Sequence, residues 1–211
     1  MKPEELLRND KLVWFTEAQI GYVDPGQGID YGKVYYDEYV RRSRSELSNK
    51  LMDARCDLVQ RWYDGTVVDI GAGACAFVER LNGREQKCLG YDINPVTVFD
   101  LQERDLYYDV MRGPRVEAVC FFDVLEHFLD PSKILARVED LVFMSIPIFS
   151  GPQHCLSSRH LKVGEHIWYF THQGLIDFMN REGFTLLEDS TMESDICRED
   201  ISSYVFRRKG G

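Results

Sequence analysis

The stretch Val67-Val68-Asp69-Ile70-Gly71-Ala72-Gly73-Ala74-Cys75-Ala76 decides the fold. Residues 66–70 are a short β-rich run with no helical period, which predicts a buried strand. Gly71 and Gly73 then predict a turn at which backbone approaches a ligand, and the helix that follows opens with free N–H groups. Phe77, Val78 and Leu81 carry that helix until Asn82-Gly83 stops it. Residues 87–92 read as a second strand, ending in Gly90-Tyr91-Asp92-Ile93-Asn94, with Asp92 19 residues past Gly73. A carboxylate at that strand end can accept both ribose hydroxyls of an adenosine-type ligand.

Outward from this unit, strands alternate with helices. Residues 106–110, 116–122 and 141–147 read as third, fourth and fifth strands. Asp130-Pro131 opens a helix carrying Ile134, Leu135 and Val138. Before the motif, Leu47, Leu51, Leu58 and Trp62 mark an amphipathic helix over residues 44–62, with Arg55 and Arg61 on other faces. After it, Thr171 caps a helix (Leu175, Ile176, Phe178, Met179) that Gly183 stops, and residues 184–188 and 201–207 read as two last strands. Buried strands alternating with helices predict a parallel α/β sheet covered on both faces. Residues 14–39 are aromatic and hold five tyrosines, Tyr22, Tyr31, Tyr35, Tyr36 and Tyr39. They read as a strap on the core or as a lid over a ligand, the lid being preferred.

Composition bounds the rest. With 211 residues, one domain is expected: a segment 1–62 of lid and helix packed on a core of residues 63–211. A net charge of −10 gives no global attraction for phosphates, so duplex nucleic acid is not expected as a partner. The N-terminus has no apolar signal core, and the best apolar run, residues 141–149, is nine long and holds Pro147. Neither secretion nor membrane insertion is expected, and a cytoplasmic location is. The six cysteines have no CxxC and no Cys/His ligand spacing, so free thiols and no metal site are expected.

Two cofactors compete for the glycine turn. The run Gly71 to Ala76 also fits G-x-G-x-x-A, the dinucleotide fingerprint of an NAD-dependent oxidoreductase. A dinucleotide places its pyrophosphate at the helix N-terminus, where Asp69, aimed at the rim, would repel it. A carboxylate there suits a cationic ligand end such as the α-ammonium of a methionine moiety, which favours S-adenosylmethionine over NAD.

These motifs together resemble the class I S-adenosylmethionine-dependent methyltransferases, in particular a branch with a D-V-L-E-H signature. Residues 67–75 resemble the family's first glycine motif and residues 90–95 its ribose-binding strand end. Phe121-Phe122-Asp123-Val124-Leu125-Glu126-His127 resembles its fourth-strand motif, and Glu165-His166-Ile167-Trp168-Tyr169-Phe170-Thr171 the approach to the last helix. Cys75 stands where the family usually has a third glycine, and the glycine turn before the fifth strand is missing. The resemblance implies a Rossmann-like, doubly wound sheet of seven strands, mostly parallel with an antiparallel last strand, and helices on both faces. It implies S-adenosylmethionine as cofactor, S-adenosylhomocysteine as product, and a small-molecule or nucleotide-sized acceptor methylated on O or N. A catalytically silent cofactor-binding module is the alternative, since fold alone does not prove chemistry.

Cofactor contacts are expected at Asp69, Gly71, Ala72, Gly73, Asp92, Ile93, Asp109 and Phe122, with Asp109 near the adenine amino group. Valine at Gly71 is expected to enter the methionine space and leave the fold intact. His127 and His166 are the catalytic candidates, because histidine is tuned to take a proton near neutral pH. The competing reading makes His127 a residue that orients Glu126 and His166 a hydrogen-bonded structural ring. Tyr22, Tyr36, His154 and Trp168 are the candidates for holding substrate. Deleting residues 1–32 is expected to abolish turnover far more than folding.

Overall fold

The computed structural model describes residues 6–8, 12–26, 32–43 and 45–210. Tyr31 and Arg44, and the side chains of Tyr35, Tyr39 and Arg42, lie outside the described residues.

Among the described residues the central sheet has six strands: β4 (Val67–Ile70), β5 (Cys88–Tyr91), β6 (Val116–Phe122), β7 (Val138–Pro147), β9 (Phe184–Ser190) and β10 (Ile201–Arg208). Their order is β5-β4-β6-β7-β10-β9. β5, β4, β6 and β7 are mutually parallel, and β10 is antiparallel to both β7 and β9. The sheet is therefore mixed and mostly parallel, with the antiparallel strand last in sequence but inside the sheet.

Alternation explains why the strands look continuously apolar. Val119 and Phe121 of β6 face a cluster with Ile134, Leu135, Leu175 and Met179. Ala118, Cys120 and Phe122 face the opposite cluster, with Leu58, Val59, Phe77 and Leu81. Both faces are covered, so neither needs polar residues. On one side lie α5 (Pro131–Leu135) and α7 (His172–Arg181), and on the other α2 (Glu46–Trp62) and α3 (Ala76–Asn82). Thr171 caps α7 as the sequence places it, its Oγ1 accepting from the Gly174 N–H; Asp130 opens α5 without a side-chain cap bond, and Ser45 Oγ, not read from the sequence, caps α2 by accepting from the Ser48 N–H.

Four expectations are corrected. The third of seven strands is reduced to one bridge, Gly90 with Tyr107. Asp109 Oδ1 accepts from the N–H groups of Met111 and Arg112, and this side-chain turn ends the ladder. Val138 starts β7 rather than lying in the preceding helix. Arg55 lies on the buried face of α2, beside Met52, Cys56 and Val59, while Leu47 is exposed.

The fourth concerns the N-terminal segment. β1 (Leu6–Arg8), β2 (Val13–Phe15) and β3 (Ile20–Tyr22) form a second, antiparallel sheet with β8 (Trp168–Phe170), in the order β1-β2-β3-β8. Leu12, Trp14, Ile20 and Val23 are buried, and the Thr171 N–H donates to the Gln19 carbonyl. Deleting residues 1–32 would thus remove core side chains and three strands, so it would damage folding as well as turnover. Between β7 and β8, the stretch read as a long loop contains a short helix, α6 (Pro152–Ser157).

Candidate functional site

The carboxyl ends of β4, β5 and β6 form one rim, where ligands of open α/β sheets bind. Gly71 turns the chain out of β4 with φ +74°. A Cβ there would lie 2.5 Å from Val124 Cγ2. Valine at Gly71 would therefore collide with the D-V-L-E-H turn and strain the backbone, so the expectation of an intact fold is corrected. Cys75 also has positive φ, +59°, which accounts for the glycine usual at that position.

Asp92 anchors the turn from β5. Its Oδ2 accepts from the Gly73 N–H at 2.8 Å and its Oδ1 from the Asn94 N–H at 2.8 Å. Thr97 Oγ1, on α4 (Pro95–Glu103), donates to the Gly73 carbonyl at 2.8 Å. The Ile93 N–H also bonds to this carboxylate; with about four acceptor sites in all, Asp92 can hold the loop and still accept from a ribose hydroxyl. Beside it Ile93 is 69% exposed, an apolar surface at the strand end that suits a flat base. Gly71 and Ala72 both donate their N–H groups to the Tyr91 carbonyl.

Asp69 is set inside the rim rather than over it. It is buried on the side of the sheet that carries Arg55, Cys88 and Cys120. Burial pushes its carboxyl up to about 8, Asp92 adds to this, and Arg55 opposes it. The folded chain therefore keeps a proton that the unfolded chain, with an ordinary carboxyl pKa of 3.8, releases. Stability from this group is full at low pH and falls as pH rises from about 4 to about 8. Asp69→Asn should remove that decline. Urea unfolding of both proteins from pH 5 to pH 8.5 checks it, and an unchanged slope in the variant contradicts it.

Phe122 is core: its ring packs on Phe77 at 4.8 Å and under the Arg55 guanidinium at 4.5 Å, leaving only its backbone for a ligand. Asp109 spends Oδ1 on its own turn, and Oδ2 lies 3.8 Å from Arg112 Nε.

The structure brings His127 and His166 together after β6, and Tyr22 onto Trp168. The rings of His127 and His166 are 4.7 Å apart at 73°, and Tyr22 lies 5.2 Å from Trp168. Burial lowers the pKa of both histidines; Glu165 partly opposes this at His127, and His127 adds to it at His166. Both rings are neutral at pH 7. Glu126, the residue before His127 and 4.0 Å from Nε2 of each histidine, is 1% exposed, and burial with the nearby Asp123 charge pushes it up to about 8. His154 lies apart, against Phe149 and with its Nε2 3.4 Å from Asp200. Tyr36, on α1 (Lys33–Ser43), lines a separate cleft of about 710 Å³ that reaches the glycine turn only at Ala74.

One part of the site escaped the sequence reading. Asp123, at φ +62°, follows β6 and is held by two arginines. Arg55 Nη2 donates to Asp123 Oδ2 at 2.8 Å and to Ser145 Oγ at 3.1 Å, while Arg55 Nε donates to Glu193 Oε1 at 2.7 Å. Arg198 donates to both Asp123 oxygens and to Glu193. Burial would raise the Asp123 pKa, but Arg198 and Arg55 outweigh it and hold the carboxylate well below its usual range. The network fixes a strained turn whose next residue, Val124, abuts Gly71. Met52, Cys56 and Val59 around Arg55 were the available signal, an arginine on an apolar stripe.

Solved structures that share this fold include S-adenosylmethionine-dependent methyltransferases and a cyclase. The chain is similar to magnesium protoporphyrin IX methyltransferase from Synechocystis PCC 6803, solved with S-adenosylhomocysteine (14% identity, 84% of this chain and 95% of that one, TM-score 0.58). It is similar also to 1,6-didemethyltoxoflavin-N1-methyltransferase from Burkholderia thailandensis (15% identity, 94% and 99%, TM-score 0.59). A third similar structure, the cyclase SpnF, has 13% identity over 78% of this chain and 82% of that one, with TM-score 0.57. No protein-family model and no curated protein matches the sequence. At these identities the likeness is one of fold.

Proposed function

We propose that this chain is an S-adenosylmethionine-dependent methyltransferase acting on an O or N atom of a small-molecule or nucleotide-sized acceptor. The observation that carries the reading is Asp92. A carboxylate clamping the glycine turn and retaining acceptor capacity suits ribose hydroxyls. An acid at this strand end serves the ribose of NAD equally well, so the NAD-dependent oxidoreductase is separated from this reading by direct comparison of the two ligands.

The cofactor supplies the electrophilic methyl group and its leaving group. Asp92 would hold the ribose, Gly71, Ala72 and Gly73 would leave room for the methionine end, Ile93 would cover the adenine, and the Phe122 backbone would close the site. Asp109 would face the adenine amino group with its remaining lone pairs. His127, the more exposed ring, would take a proton from an acceptor; His166, 3% exposed with its pKa pushed by burial to about 2, would only hold its neighbour in place. Tyr22 and Trp168 would form a wall for a flat acceptor; Tyr36 and His154, set apart from them, would reach only a larger one.

Incubation with methyl-labelled S-adenosylmethionine and a metabolite extract tests the reading. Label should move into the small-molecule fraction. Cofactor binding with no label in any fraction would establish the silent module, and label confined to protein or nucleic acid would overturn the acceptor class.

A further inference from the structure

Glu126, His127 and His166 each offer one possible ligand atom, and all three atoms lie within 4.8 Å of one another. Glu126 Oε1 lies 4.0 Å from Nε2 of His127 and 4.0 Å from Nε2 of His166. Both Glu126 oxygens are buried without a hydrogen-bond partner. An ionisable side chain 1% exposed and unpartnered is strongly unfavourable unless a cation or proton joins it.

From this geometry we infer that Glu126, His127 and His166 form a binding site for one divalent first-row transition metal ion of the zinc class. The cysteine-based expectation of no metal site missed it because none of these ligands is sulfur. Two imidazoles and one carboxylate suit zinc, manganese, iron or cobalt better than calcium or magnesium, which take oxygen ligands. Ligand atoms about 2.1 Å from one ion stand about 3.0–3.4 Å apart, so closing the site needs side-chain shifts of about an ångström.

The backbone is already braced for this. The Ile167 N–H donates to the Glu126 carbonyl at 2.9 Å, tying the strand-end turn to the His166 segment. The His166 N–H donates to the Lys162 carbonyl at 2.9 Å, and the Tyr169 hydroxyl donates to the His166 carbonyl at 3.1 Å. His127 also makes a hydrogen bond to the Glu165 backbone, which ties its ring to the His166 segment. The neighbouring carboxylate of Asp123 is engaged by Arg55 and Arg198.

Three protein ligands leave coordination positions open, as in catalytic rather than structural sites. His127 is the most exposed of the three ligands. An oxygen atom of the acceptor would fit an open position, and a bound ion would occupy the His127 lone pair, so that this ring orients rather than takes a proton. The site stands independently of the cofactor reading.

Cobalt(II) titration of the full, tag-free chain, stripped with chelator and then freed of it, tests the inference without cofactor. One ion per chain should bind, with visible bands more intense than those of the hydrated ion. Glu126→Gln and His166→Asn should each weaken binding at least about tenfold, the scale set by loss of outer contacts alone. A spectrum that stays that of the hydrated ion would overturn the site in the unmodified chain, whatever the variants do to folding. Unchanged affinity in both folded variants would overturn the ligand assignment.

Discussion

Asp92→Ala should lower the affinity for S-adenosylhomocysteine by at least about tenfold. A charge-assisted hydrogen bond to a ribose hydroxyl is lost, about 1.5–3 kcal/mol. The same substitution frees the Gly73 and Asn94 N–H groups and loosens the turn between β4 and α3. Affinity should therefore fall further than the ribose contact alone requires, with a modest drop in thermal stability. Calorimetric titration of the variant is the check, and unchanged affinity would remove Asp92 from the site.

Arg55→Ala should be the most damaging single change to stability, costing about 3–5 kcal/mol. Arg55 is 6% exposed and its partner Glu193 is 0% exposed. Truncation leaves a buried carboxylate with Arg198 alone and strips the cation from the Phe122 ring. For a chain of this length that is a fall in Tm of roughly 10 °C. Arg55→Ala combined with Glu193→Gln should lose less than the two single changes summed, because the stranded charge is gone. A Tm within a degree or two of the parent for Arg55→Ala would show the network to be energetically idle. Beyond stability, the loss should weaken cofactor binding, since Asp123 would no longer hold Val124 against Gly71.

How much of this was legible in sequence follows from what each feature depends on. The glycine turn, the β5 acid and the Thr171 cap depend on residues within a few positions of each other. Their local chemistry names them, and β6 was read to the residue. The reduced third strand depends on Asp109 turning its carboxylate onto the next two amides, a choice that no apolar period records. The N-terminal sheet depends on pairing β3 with β8, some 150 residues later, and short strands carry little pattern of their own. Arg55 was read as solvent-facing because arginine usually is. Its partners Asp123 and Glu193 lie 68 and 138 residues away, where one sequence gives no hint of contact. Glu126, His127 and His166 were legible as separate residues, yet only the fold shows that they converge.

The central claim is that the rim of β4, β5 and β6 binds an adenosine ligand with a methionine-type end. Parallel titrations of the full chain with S-adenosylhomocysteine and with NAD test it most directly. The account predicts saturable one-to-one binding of S-adenosylhomocysteine and none of NAD at equal concentration. Absent binding of S-adenosylhomocysteine, or tighter binding of NAD, would contradict it.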